Sequence, residues 1–296
     1  MAFVFYNNSD MNTDNITAKK MESIQSIFRE VQEKDFSEFS ISEIADYLNS
    51  FDSEFRSIAY EAAAMNLALR DLKSDGKLSF WLYLLKEIGA QHAIQIHVGL
   101  GWALAQEQLN PELFLNELEP MLRYRVLDGY GYYEGIFRRR KSIVNQQAIQ
   151  TEDENILSAY HQGLGRSIWY SAKGDIDVAK SWIDTFPVNR LNDLWRGLGI
   201  AITYVGGCSE DYLKAIFVKA SSLQIDLATG AAMTLMSRSL ANSITSDSEL
   251  TCKIFCSKST GKILLIDTTI KAFIDLNDDY AFSQWIKNLD KTFARK

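Results

Sequence analysis

The sequence predicts an all-α protein: helix pairs of about 34 residues, stacked side by side into a curved solenoid or toroid in the manner of tetratricopeptide or HEAT arrays. Three observations predict it. Apolar residues recur at helical spacing rather than in alternation. Prolines stand only at Pro111, Pro120 and Pro187, so the turn signals that would separate many short strands are missing. A small-x-small motif occurs six times: Ala62-Ala63-Ala64, Gly99-Leu100-Gly101, Gly129-Tyr130-Gly131, Gly163-Leu164-Gly165, Gly197-Leu198-Gly199 and Gly230-Ala231-Ala232. Successive copies start 37, 30, 34, 34 and 33 residues apart, a period that suits two helices and two turns.

Taken in order, residues 1–16 read as a flexible N-terminus and 17–296 as one α/α-repeat domain, with one or two leading helices over 17–50. Each motif is expected at the centre of a first helix. Among the second helices, Asn110 and Pro111 open one as cap and first helical residue. Gly174-Asp175 breaks the chain before a helix over 176–186 that Pro187 stops. Gly206-Gly207 precedes Ser209, which caps a helix over 210–220. A shorter partner spans 247–255, and helices over 263–276 and 279–294 form a closing pair.

Glycine inside a helix costs about 1 kcal/mol relative to alanine, so six small centres need an offsetting gain. Motif positions 0 and +2 lie about 200° apart around a helix of 3.6 residues per turn, which lets a neighbour approach closely on each side. Position +1 (Ala63, Leu100, Tyr130, Leu164, Leu198, Ala231) is apolar apart from one phenol and is expected to face the second helices. Positions −1 (Glu61, Val98, Asp128, Gln162, Arg196, Thr229) and +3 (Met65, Trp102, Tyr132, Arg166, Ile200, Met233) share the other side. In a curved stack they line the inner surface, where such arrays bind their partners. A GxG segment also opens dinucleotide-binding loops, but those need a preceding strand and a third glycine, whereas here the motif sits mid-helix and repeats.

Composition narrows the function. Hydrophobic residues at 47% and charged residues at 23% are globular values, and 296 residues suffice for a substantial core. A net charge of −7 with one basic run, Arg138-Arg139-Arg140-Lys141, argues against nucleic acid. The longest apolar stretch, around Phe80-Trp81-Leu82-Tyr83-Leu84-Leu85, is too short to span a membrane, and the N-terminus lacks the basic start and apolar core of a signal peptide. Cys208, Cys252 and Cys256 form no disulfide framework and suit a reducing, cytoplasmic location. No two histidines stand four apart, so neither a metal nor any other cofactor is expected.

The inner column carries the candidate chemistry. Glu61 and Asp128 are candidate bases, because burial moves a carboxyl toward neutrality; His97 and His161, each two residues before a motif, are candidate proton shuttles. Arg166 and Arg196 are placed to hold a carboxylate or an enolate-like charge. Tyr60, Trp102, Tyr132, Tyr133, Glu134, Gln162 and Trp195 complete the expected binding surface. Buried ionisable groups in helical repeats also pair with one another to fix register, with no substrate involved.

The segments Phe55-Arg56 to Met65, His97-Val98-Gly99-Leu100-Gly101-Trp102-Ala103, Asp128 to Phe137, Gln162-Gly163-Leu164-Gly165-Arg166-Ser167 and Leu194-Trp195-Arg196-Gly197-Leu198-Gly199 resemble, in order, the blocks of the UnbL-like family first noted in enediyne gene clusters. The resemblance covers roughly residues 50–260; the chain departs from it at Ala62, where the family often has glycine. It implies specialised-metabolite biosynthesis, including furanolide-type lactone closure in which a carbon–carbon bond forms. Two functions follow as expectations. One is a cofactor-independent acid–base enzyme that condenses or cyclises a hydrophobic or aromatic intermediate in the concave cavity. The other is a non-catalytic helical scaffold that docks a partner synthase or carrier protein.

Overall fold

The computed structural model describes residues 16–294. The stretch read as a flexible N-terminus lies, up to residue 15, outside the described residues; Ile16 already opens a helix. Among the described residues the chain is entirely helical, with fifteen α-helices and no strand. They are α1 (Ile16–Gln32), α2 (Ile41–Asn49), α3 (Ser53–Ser74), α4 (Ser79–Tyr83), α5 (Ala93–Gln106), α6 (Glu112–Leu115), α7 (Tyr124–Phe137), α8 (Glu154–Ser171), α9 (Ile176–Ile183), α10 (Leu191–Val205), α11 (Glu210–Ala220), α12 (Gln224–Leu240), α13 (Ser246–Phe255), α14 (Thr260–Ala272) and α15 (Ala281–Ala294).

Local signals set many boundaries. The Ser209 hydroxyl accepts from the Tyr212 amide at 3.2 Å and starts α11, while Asp175 accepts from the Asp177 and Val178 amides and starts α9. Gly206 and Gly207, with φ of 70° and 77°, make the break between α10 and α11. Two elements are shorter than expected. The helix opened by Asn110 and Pro111 is only α6, four residues long, although the Asn110 side chain does accept from the Glu112 amide. The helix expected over 176–186 ends at Ile183, before its proline.

All six motifs lie inside helices: α3, α5, α7, α8, α10 and α12. Each of these packs against the next. A methyl group built on the first motif glycine of α5, α7, α8, α10 or α12 would stand 1.9–2.2 Å from the carbonyl oxygen of Glu61, Val98, Asp128, Gln162 or Arg196, the −1 residue of the preceding motif helix. One built on Gly101, Gly131, Gly165 or Gly199 would stand 2.0–2.2 Å from a carbonyl oxygen of the following one. No Cβ fits at such distances, so hydrogen at these positions lets backbone meet backbone on both sides, which offsets the propensity cost of glycine. The six +1 residues are buried in the core. The last motif helix also reaches the first two. Ser237 of α12 accepts from Gln95 of α5 at 2.9 Å, and Arg238 of α12 donates to the Glu54 carbonyl of α3 at 3.2 Å. The α1 helix packs on α3 and touches α10.

Candidate functional site

A hollow lies among α1, α3, α5, α7, α8 and α10, lined by Phe28, Glu61, Trp102, Tyr132, Arg166, Tyr170 and Tyr204. A neighbouring pocket shares Arg166 and Tyr204 with it and adds Gln95, Val98, Arg125, Asp128, Met233 and Ser237. On a helix of 3.6 residues per turn, positions −4, −1, +3 and +7 form one stripe about 80° wide. Gln95 and Arg125 stand at −4, Glu61, Val98 and Asp128 at −1, Trp102, Tyr132, Arg166 and Met233 at +3, Tyr170, Tyr204 and Ser237 at +7. The stripe is the signal by which Gln95, Arg125, Tyr170 and Tyr204 were open to detection, since each lies one turn beyond a position that was read.

The two carboxylates differ. Asp128 accepts from Gln162 Nε2 on one oxygen and from Arg166 Nη1 on the other. Glu61, 2% exposed, makes no side-chain hydrogen bond or ion pair among the described residues. Burial pushes its carboxyl up to about 7; Arg166 opposes that rise and Asp128 adds to it. Burial alone would depress the Arg166 guanidinium, but Asp128 and Glu61 beside it more than compensate, and its pKa is raised. Arg166 also lies over the Tyr132 ring, 4.5 Å from its centroid. Burial raises the phenols Tyr132, Tyr170 and Tyr204, so all three stay protonated at neutral pH. The Tyr204 hydroxyl and the Trp102 indole N–H are buried with no hydrogen-bond partner among the described residues.

The remaining expected site residues lie elsewhere. His97 and His161 are not in the hollow, because position −2 is a further 100° around the helix from −1. Each Nδ1 donates to the carbonyl four residues back, of Ala93 and Leu157, at 2.7 Å. Burial lowers both imidazoles, His97 to about 4. Both are buried in the core, away from the groups that line the hollow. Tyr60 stacks on His92 at 4.0 Å, on the α2 side of α3. Tyr133 packs on Phe137 and meets Trp102 edge-on, behind the hollow. Glu134 is paired with Arg138 and Lys141, which also occupies part of the basic run. Trp195 is buried in the core. Arg196 is enclosed by Asp193, Asp226 and Asp290 at 3.0, 3.5 and 3.8 Å and holds α15 against α10 and α12, so it is not free to take a ligand carboxylate.

The space is unevenly divided. The cavity beside Glu61 measures about 30 Å³, enough for a water molecule or a small reacting end. A cavity of about 860 Å³ among α5, α7, α12, α14 and α15 has no wall residue in common with the cavity beside Glu61 but adjoins the polar pocket, with which it shares Ile94, Arg125 and Met233. The larger volume suits a drug-sized ligand; leucines, methionines and Trp285 supply about half of its wall, and Lys86, Glu119, Arg125, Asp267 and Lys271 add charge.

Other groups are structural. The three cysteines are free and buried; Cys252 and Cys256 donate to the Ala231 and Ala228 carbonyls. Among the described residues no cluster of three metal-ligating side chains occurs, and no helix is long and apolar enough to cross a membrane.

The chain belongs to a family described as a protein of unknown function (DUF1702), whose profile matches residues 6–293. No curated protein and no solved structure matches it.

Proposed function

We propose that this chain is an acid–base enzyme that condenses or cyclises a hydrophobic intermediate without a cofactor, with Glu61 as the base. The observation that carries this reading is a carboxyl with no hydrogen-bond or ion-pair partner among the described residues, pushed up to about 7 by burial, in a hollow rimmed by protonated phenols. The body of the intermediate occupies the cavity of about 860 Å³ and its reacting end passes Arg166 and Tyr204.

Glu61 takes a proton from a carbon next to a carbonyl, and the electron pair moves onto that oxygen, which Tyr170 or Tyr204 meets with a hydrogen bond. The enolate carbon then bonds to a second carbonyl carbon of the same molecule as that C=O π bond breaks onto its oxygen. The oxygen receives the proton held by Glu61, which restores the carboxylate.

The architecture in this reading is six helix-pair repeats closed into a toroid. The recurring glycine-over-carbonyl register and the Gln95–Ser237 and Arg238–Glu54 bonds support it. The resemblance to the UnbL-like family supports a place in specialised-metabolite biosynthesis, with ring closure of the furanolide type as one instance. Reduced, buried cysteines are in keeping with a cytoplasmic protein.

The test is solvent deuterium exchange at the α-carbon of hydrophobic ketones and thioesters, followed by NMR with purified protein. Wild type is expected to accelerate exchange and Glu61→Gln to lose that acceleration while its circular dichroism stays helical. Exchange at the wild-type rate in Glu61→Gln overturns the assignment. The exposed Phe273 and Tyr280, 86% and 60% accessible and close in sequence to the cavity-lining Leu276, favour a second reading, a scaffold for a partner synthase or carrier protein. Recovery of a synthase in a pull-down, with no conversion by the isolated chain, decides for it.

A further inference from the structure

Arg166 and Arg125 line the hollow or the polar pocket beside it and Arg196 lies outside both, and two of the three are neutralised. Arg166 is held by Asp128, and Arg196 by three carboxylates. Arg125 is not. It is 7% exposed, its guanidinium makes no hydrogen bond or ion pair among the described residues, and its Nε is buried without a partner. The two carboxylates whose charge reaches it are both committed: Asp128 to Gln162 and Arg166, Asp267 to Lys271 and the Trp285 indole. Its remaining neighbours are aromatic faces, Phe282 and Trp285, 4.9 and 5.8 Å from the guanidinium carbon. A buried cation is costly unless an anion or a set of acceptors meets it. Arg125 lines both the cavity of about 860 Å³ and the polar pocket that leads to Glu61.

We propose that the large cavity binds a carboxylic acid with a long apolar body, its carboxylate on the Arg125 guanidinium and its chain among the methionines and leucines of α12 and α14. A single unpaired arginine matches one negative charge, and its planar fork matches a carboxylate. A phosphate, with more charge, would call for a second buried cation; of the two lysines in the wall Lys271 is paired with Asp267 and Lys86 is exposed to solvent. The position of Arg125 between the two pockets makes it an anchor that fixes how far the ligand extends toward Glu61. The inference rests on the proposed function insofar as that reading makes this cavity the substrate's.

The experiment is isothermal titration of the full chain with laurate, dodecanol and dodecyl phosphate at pH 8. Laurate is expected to bind at least about tenfold more tightly than dodecanol. Arg125→Met, which keeps the side-chain volume against Phe282 and Trp285, is expected to lower laurate affinity roughly 10- to 100-fold and to leave dodecanol unchanged. The unchanged dodecanol affinity shows that the cavity is intact. Equal binding of laurate and dodecanol, no laurate binding, tighter binding of dodecyl phosphate, or an unaltered laurate affinity in Arg125→Met each overturns the proposal. Glu61→Gln is expected to bind laurate like wild type. If it also retains deuterium exchange, the catalytic reading fails and the carboxylate site stands; if exchange is lost but laurate ignores Arg125, the reverse holds.

Discussion

Glu61 on α3 and Asp128 on α7 occupy the same place in two motif helices, yet among the described residues one carboxyl has no hydrogen bond and the other is bonded on both oxygens. The difference comes from the helix that follows. After α7, the −1 and +3 positions of α8 are Gln162 and Arg166, and both donate to Asp128. After α3, the same two positions of α5 are Val98, which has no donor, and Trp102, whose indole N–H makes no hydrogen bond with Glu61. One slot therefore yields a register-fixing ion pair or an available base according to two residues about 34 positions downstream.

The largest expected effect tests the bonded member. Asp128→Ala leaves the Arg166 cation buried without its partner and is expected to destabilise the protein by about 3–5 kcal/mol in urea titrations. A loss below about 1 kcal/mol would break the contrast, since surface-like pairs contribute that little. Glu61→Gln has the opposite sign. The folded carboxyl, raised to about 7, binds its proton more tightly than the unfolded one at 4.5. The folded state is therefore penalised as pH rises from 4.5 through 7, and the penalty is fully present above that. Glu61→Gln is thus expected to gain at most about 3 kcal/mol at pH 8 and nothing at pH 4. In wild type, deuterium exchange should rise with pH through about 7 as Glu61 ionises.

Supplying α5 with a donor sharpens the comparison. Val98→Gln places an amide where Gln162 stands relative to Asp128 and is expected to shift the midpoint of the exchange profile below 7, an effect of about 1–2 kcal/mol on the ionised form. An unmoved midpoint would show that the two slots differ by more than their downstream neighbours. The smallest effect concerns His97. His97→Gln is expected to cost about 1 kcal/mol, through the lost bond to Ala93, with deuterium exchange intact. Because the folded imidazole titrates near 4 against 6.5 unfolded, wild type loses stability as pH falls from 6.5 toward 4, and the variant should lose less.

Helix positions were legible because their signals are local: Ser209, Asp175 and the Gly206-Gly207 pair act within one turn. The apposition of helices at the small residues was legible too, since a glycine that must meet a carbonyl cannot be hidden by context. The site was only partly legible. Glu61, Trp102, Asp128, Tyr132, Gln162 and Arg166 come together as expected, because −1 and +3 truly share a face. The histidines at −2 are close to that face in sequence but stand 100° away from −1 around the helix. Two of the carboxylates that occupy Arg196, Asp226 and Asp290, come from helices 30 and 94 positions further on, so its local sequence suggests an anion-binding residue where the fold makes an ion-pair cluster. The stripe puts Arg125 on the same face, but nothing in a sequence marks it as an arginine for which the described residues supply no partner.

The bonds from α12 back to α5 and α3 bear on how the chain reaches this state. Gln95 meets Ser237 across 142 positions and Arg238 meets Glu54 across 184, so two distant ends must find each other before the last contacts form. An open array propagates from neighbour to neighbour and loses its terminal units by fraying. A chain whose last motif helix is fastened to its first ones carries a large loop-closure entropy, and is expected to fold slowly for its helical content and to unfold as one cooperative unit. Removing α12 to α15 should therefore unravel α3 as readily as α10, which amide hydrogen exchange on a chain ending at residue 223 would reveal.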